Sequence, residues 1–154
     1  MMKNYLVTFA VGFLLLAGSA SAQEKKIKRS DLPPAVEKTV AAQSAGATIR
    51  GFSTEQENGQ TLFEVEMTVK GHSKDVSMTA DGSVVEVEEQ VALDALSPEV
   101  KAGLQAKAGK GKILKVESLT KKDKLVAYEA KVETNGKKSE IQVGPDGKAL
   151  DHEE

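Results

Sequence analysis

The chain contains two copies of one pattern, and this internal repeat restricts its fold more than any other feature. Residues 32–36 (LPPAV) match residues 96–100 (LSPEV), 64 positions further along. After a slip of one residue the match continues through Phe63 with Tyr128, Gly71 with Gly136, Val76 with Ile141, and Asp81-Gly82 with Asp146-Gly147. Apolar positions and turn residues coincide together, which is typical of a duplicated structural unit. We therefore predict two units, residues 31–90 and residues 91–154, the second ending in a short acidic tail.

Each unit is predicted to begin with a helix and to continue with four strands. Pro34 and Pro98 suit the first turn of a helix, where a missing N–H costs nothing. Apolar and polar residues then alternate, as is typical of half-buried strands, and pairs such as Asn58-Gly59 and Asn135-Gly136 mark tight turns. The predicted fold class is α+β: two tandem α-β-β-β-β repeats, with an antiparallel sheet or sheets and one helix per repeat packed on one face. One continuous sheet and two packed units both fit this pattern.

The first residues have the organisation of a secretion signal. Lys3 precedes a short apolar stretch, and Ala20-Ser21-Ala22 fits the small-residue motif before a cleavage site. We interpret residues 1–22 as a signal peptide and residues 23–30 as a polar leader. The apolar stretch is shorter than the ~20 residues that span a bilayer. The expected product is therefore exported, periplasmic or extracellular, with no stable membrane insertion after cleavage.

The composition argues against several classes of function. A net charge of −2 gives no electrostatic reason to expect nucleic acid as a partner. The chain has no cysteine, so disulfides, thiol chemistry and cysteine metal sites are excluded. Its two histidines, His72 and His152, are predicted at a turn and in the tail, where neither would hold catalytic geometry. We expect no enzyme activity, no cofactor and no metal site.

The strand alternation places charged residues on the sheet face that the helices do not cover. The candidate partner-binding residues on this face are Glu64, Glu66, Thr68, Glu129, Lys131 and Glu133. A solvated sheet surface is the ordinary interpretation of such a set, and a surface that docks an unknown protein partner is the functional one. Because the face is open and of mixed charge, we do not expect burial to move the pKa values of its carboxylates apart.

The helix start at residues 32–36, the alternating strand Phe63-Glu64-Val65-Glu66 and the turn Asp81-Gly82 resemble the pattern of PepSY-like domains, and residues 96–100, 128–132 and 146–150 repeat it. The chain also resembles the related group named for the β-lactamase inhibitor protein, whose members carry tandem copies. The resemblance implies a non-catalytic exported module that binds or inhibits a protein, such as a peptidase or another envelope enzyme. A structural or envelope-associated protein, or a module that senses a small ligand or cation, is the alternative.

Overall fold

A computed structural model describes residues 24–57 and 59–154, so the predicted signal peptide lies outside the described residues. The described chain forms eight strands and two α-helices. In chain order they are β1 (Lys25–Ile27), α1 (Pro34–Gln43), β2 (Thr48–Glu57), β3 (Gln60–Val69), β4 (His72–Met78), β5 (Val84–Gln90), α2 (Pro98–Ala108), β6 (Lys112–Lys121), β7 (Lys124–Thr134) and β8 (Lys137–Val143). The fold class is therefore α+β.

The eight strands form one antiparallel sheet in which spatial order follows chain order. Strand β4 pairs with β5, the chain continues through α2, and β6 then pairs with β5 from Glu86 opposite Lys121 to Gln90 opposite Glu117. One continuous sheet is thus formed, which decides between the two arrangements that the sequence left open.

The tight turns have the backbone that their residues favour. Asn135 and Gly136 both adopt positive φ, at 54° and 76°, between β7 and β8. Lys122 and Asp123 do the same between β6 and β7, at 49° and 62°. Two consecutive residues of positive φ match the right-handed twist of the strands they join. Asn58, at the turn between β2 and β3, lies outside the described residues.

Both helices pack on one face of the sheet and divide its core into two clusters. Val36 and Val40 of α1 are fully buried against Val65, Met67 and their neighbours. Val100 and Leu104 of α2 are buried in the same way against Val116, Ala130, Val132 and Val143. The predicted alternation of Phe63, Val65 and Met67 toward the helices is confirmed by this packing. Within the part of the chain that the structure describes, no helix packs on the opposite face of the sheet.

The Asp-Gly turns after β4 and β8 contact the helices and hold them against the sheet. The Thr39 hydroxyl in α1 donates a hydrogen bond of 2.8 Å to the carbonyl of Gly82. Gly147 lies so close to the carbonyl of Glu99, in the first turn of α2, that a β-carbon there would overlap it. Glycine is required at this contact both for space and for its φ of +78°.

The structure differs from the prediction in two segments, one at each end of the described chain. The second unit has three strands after α2, namely β6, β7 and β8, instead of the predicted four. Residues 148–154 pair with no strand within the described chain. Their sequence, KALDHEE, lacks the alternating valines of β5, and therefore offers no apolar edge to bury. At the other end, Lys25–Ile27 of the predicted polar leader forms β1, and Ile27 packs beside Phe52 against the first core cluster.

Candidate functional site

The uncovered face of the sheet carries a polar hollow of about 530 Å³, which we call the acidic hollow. It exists because apolar and polar residues alternate along the strands, so that polar side chains face away from the helices. The lining consists of charged side chains from the strands and from the residue before β1: Glu24, Lys26, Arg50, Glu55, Glu64, Glu66, Asp75, Glu88, Lys115, Glu129, Lys131 and Glu140. Eight carboxylates thus surround four cationic groups.

Four of the six residues proposed from the sequence line the acidic hollow. They are Glu64, Glu66, Glu129 and Lys131. Thr68 and Glu133 lie in the same alternation on β3 and β7, opposite Ser73 and Lys138, but they are outside the hollow. The structure therefore brings four of the predicted residues together, and leaves these two on the flanks of the same face.

Arg50 also lines the acidic hollow, although it was not among the residues predicted for this face. A bulge in β2 between Ile49 and Gly51 turns its side chain onto the open face. There Nη2 donates to Asp75 Oδ1 at 2.9 Å and Nη1 lies 3.7 Å from Glu66 Oε2. Bulges commonly re-aim a side chain in this way. The glycine that follows Arg50 was the available signal in the sequence.

A tight group of three carboxylates lies beneath this arginine. Ligand oxygens of Asp75, Glu88 and Glu117 all lie within 4.8 Å of one another. Glu117 is 2% exposed, accepts a 3.3 Å hydrogen bond from the Ser73 hydroxyl and forms an ion pair with Lys115. Three carboxylates at this spacing could hold a divalent cation. Arg50 and Lys115, however, already supply positive charge to two of the three.

Two carboxyl groups of the acidic hollow titrate far from their usual range. Burial, followed by the charges of Asp75 and Glu24, raises the pKa of Glu64 to about 7. Burial, followed by the charges of Glu129 and Glu117, raises the pKa of Glu88 to about 8. The expectation of unshifted carboxylates on an open face was therefore wrong. The face is open to solvent, but its crowded side chains half-bury each other.

The same influence acts more weakly on neighbouring groups. Burial also raises the pKa values of Asp75, Glu86 and Glu129, while Arg50, Lys121 and Gln142 respectively oppose the rise. Cationic or hydrogen-bonding partners therefore distinguish these three carboxyls from Glu64 and Glu88.

The acidic tail predicted at the chain end crosses part of this face. The backbone N–H of Glu154 donates to Gln142 Oε1 at 2.8 Å, and Gln142 Nε2 donates to Glu129 Oε2 at 3.0 Å. The Glu154 carboxylate also lies 3.9 Å from Lys121 Nζ. The tail thus borders the acidic hollow on the β6–β8 side.

The two histidines lie apart from these carboxylates. His72 is exposed at the first position of β4, and His152 is exposed in the tail. Neither lines the acidic hollow. The shifted carboxyls consequently have no imidazole beside them for proton exchange. Within residues 24–57 and 59–154, no helix combines the length and apolar character needed to cross a bilayer.

An eight-stranded antiparallel sheet with two helices on one face and a charged hollow on the other defines the structural class of this protein. No family model and no curated protein matches the chain. Among solved structures, it is similar to a DUF2874 family protein from Bacteroides ovatus, with a TM-score of 0.60, 20% identity, and coverage of 77% of this chain and 84% of that chain.

Two further solved structures share this fold. One is a protein from Bacteroides eggerthii described as a candidate periplasmic protein, with a TM-score of 0.62, 18% identity, and coverage of 77% of this chain and 86% of that chain. The other is a BLIP-like protein from Bacteroides fragilis, with a TM-score of 0.55, 19% identity, and coverage of 75% and 81%. The fold is thus BLIP-like, and no enzyme family is indicated among these neighbours.

Proposed function

We propose that this chain is an exported, non-catalytic module of the PepSY-like kind, and that its acidic hollow docks a protein partner. The observation that carries the proposal is the lining of the hollow, which is almost entirely charged and spans β2 to β8. Small-molecule sites are mostly apolar with a few polar groups. A broad charged hollow is better suited to the polar surface of another protein, where complementary charge sets specificity and association rate.

Export to the periplasm is supported by the sequence and by a structural neighbour. The segment 1–22 has the pattern of a signal peptide, and one structural neighbour is described as a candidate periplasmic protein. Lack of cysteine is compatible with an oxidising compartment, because no thiol is present to react there.

We also propose that the chain consists of two copies of one structural unit. Each helix is preceded by a strand and a short 3-10 turn, and is followed by three antiparallel strands. Val65 pairs with Val76 in the first half as Ala130 pairs with Ile141 in the second. This suggests units that begin at β1 and β5, so that β5 opens the second copy instead of closing the first. Two copies side by side would extend the docking face across one sheet.

A comparison of two charge reversals tests the docking site. Glu64→Lys changes a residue of the acidic hollow, whereas Glu133→Lys makes the same charge change on the same face outside it. The purified wild-type protein is used to capture its partner from envelope extract, and the isolated partner is then titrated with each variant. We expect Glu64→Lys to weaken binding by about tenfold or more, since a like charge would face the partner.

The control should bind as the wild type does, because exposed substitutions away from an interface have small effects. Circular dichroism melting of both variants separates loss of binding from loss of folding. A partner that binds Glu64→Lys as tightly as the wild type would place docking elsewhere and contradict the proposal.

A further inference from the structure

Among the described residues, Glu64 on β3 and Glu88 on β5 have neither an ion pair nor a side-chain hydrogen bond. Five carboxylates of this face form ion pairs with cations of the chain: Glu66, Asp75, Glu86, Glu117 and Glu140. Glu129 accepts a hydrogen bond from Gln142. Among the residues that the structure describes, no salt bridge reaches Glu64 or Glu88. Glu24 and Glu55, which line the hollow on its β1–β2 side, have no ion pair within the described chain either, so the uncompensated negative charge extends from there to Glu64 and Glu88.

A second feature on the same face also lacks a partner. Ser53 of β2 is 0% exposed, and its hydroxyl forms no hydrogen bond within the described chain. Phe52 faces the core, so Ser53 faces the hollow, where it pairs across the strands with Lys26 on one side and Glu64 on the other. Buried polar groups are nearly always hydrogen-bonded. Ser53 is thus a buried polar group without a partner, between two residues that line the hollow, Lys26 and Glu64.

The chain itself shows how a cation is held on this surface. Arg50 reaches Asp75 at 2.9 Å and Glu66 at 3.7 Å, while Lys26 lies 3.9 Å from Glu66 with 82% of its side chain exposed. Lys26 is therefore loosely held, and an entering cation can compete with it for Glu66.

The backbone spacing of Glu64 and Glu88 fits an extended segment. Glu64 lies opposite Ser77, which lies opposite Glu86, and Glu88 is two residues further along β5. With strands about 4.8 Å apart and a rise of about 3.4 Å per residue, this places the α-carbons of Glu64 and Glu88 about 12 Å apart. Positions i and i+4 of an extended segment are about 13 Å apart. One such segment can therefore present a cation to each carboxylate.

We propose that the acidic hollow receives an extended lysine- or arginine-rich segment of the protein partner, with two cationic side chains paired to Glu64 and Glu88. This inference rests on the proposed docking function and specifies the chemistry of the partner. A single metal ion fits less well, because two of the three carboxylates close enough to share one, Asp75 and Glu117, already pair with Arg50 and Lys115.

Octalysine and octaglutamate serve as probes of opposite charge. Fluorescence anisotropy is measured with the full mature chain, at low salt and at a pH above the pKa values of both carboxyls. We expect octalysine to bind and octaglutamate not to bind. The double variant Glu64→Gln, Glu88→Gln should bind octalysine about a hundredfold more weakly, because each of the two charge-assisted pairs contributes about one decade of affinity.

The matched control is Glu89→Gln with Glu133→Gln. Both residues are exposed, and the pair removes the same total charge from outside the hollow. Its affinity for octalysine should stay within about twofold of the wild type, while added salt weakens all complexes. Equal losses in the two double variants would show attraction to net charge alone and would overturn the inference.

Failure of octalysine to bind would overturn it too, as would displacement of the peptide by calcium chloride that sodium chloride of the same ionic strength does not produce. These results remain distinct from failure of the docking function. If Glu64→Lys abolishes binding of the captured partner but octalysine does not bind, docking stands and the cationic segment is wrong. If the captured partner is indifferent to Glu64→Lys, docking at the hollow is wrong.

Discussion

Replacement of Glu88 by glutamine should stabilise the protein at alkaline pH and leave its stability nearly unchanged in acid. Burial, followed by the charges of Glu129 and Glu117, raises the pKa of Glu88 from its ordinary value of 4.5 to about 8. Between these values the folded state holds a proton that the unfolded chain has released. The stabilising contribution is therefore complete below pH 4.5 and is lost as the pH rises through about 8. Glutamine has nearly the shape of the protonated carboxyl and has no such pH dependence.

The magnitude follows from the size of this shift. At ~1.4 kcal/mol per pKa unit, the change in the pKa of Glu88 sets an upper limit of about 5 kcal/mol on the pH-dependent free energy. Glu88 is only half-buried, and water screens its charge, so we expect about 2 kcal/mol. For a chain of this length, that corresponds to a melting temperature higher by about 6–8 °C in the variant at alkaline pH.

Urea unfolding of the wild type, Glu88→Gln and the exposed control Glu133→Gln, repeated from pH 4.5 to above 8, measures this difference directly. The gap between Glu88→Gln and the wild type should widen as the pH rises, whereas the gap for the control should stay small. A constant difference for Glu88→Gln over the whole range would refute the argument that Glu88 is buried without compensation.

Two further predictions concern the packing that holds the helices. Ser97→Ala removes the side-chain oxygen that accepts the backbone N–H of Val100 at 3.2 Å, and should lower the free energy of unfolding by about 1 kcal/mol in urea titrations; an unchanged value would mean that solvent replaces the cap. Gly147→Ala should cost about 1–3 kcal/mol more than Gly136→Ala, because both have φ near +77° but only the former would overlap Glu99. Equal melting temperatures for the two glycine variants would contradict the close contact between the turn and α2.

The sequence predicted those parts of the fold that depend on neighbours along the chain. Pro34 and Pro98 at the helix starts are local signals, and the alternation around Val65 follows from strand geometry alone. Turn residues of positive φ were recognisable for the same reason. These features need no knowledge of what lies on the far side of the sheet.

The parts that were missed depend on contacts between distant segments. β1 is three residues long and becomes a strand only because β2 offers it a free edge and Phe52 offers Ile27 a contact. Arg50 reaches the hollow through a bulge that breaks the alternation used to assign faces. The pKa values of Glu64 and Glu88 depend on carboxylates brought together from several strands, which no spacing along the chain records.

The uncompensated carboxylates connect stability with the proposed function. A chain without disulfides depends on its core for stability, yet Glu64 and Glu88 lower that stability as they ionise near neutral pH. A cationic partner would reverse this effect, since pairing favours the ionised carboxylates and returns both pKa values toward their ordinary range. The double variant Glu64→Gln, Glu88→Gln should consequently be more stable than the wild type and bind a cationic segment more weakly. A residue that serves only the fold would change both properties in the same direction, so these opposite signs separate a binding role from a structural one.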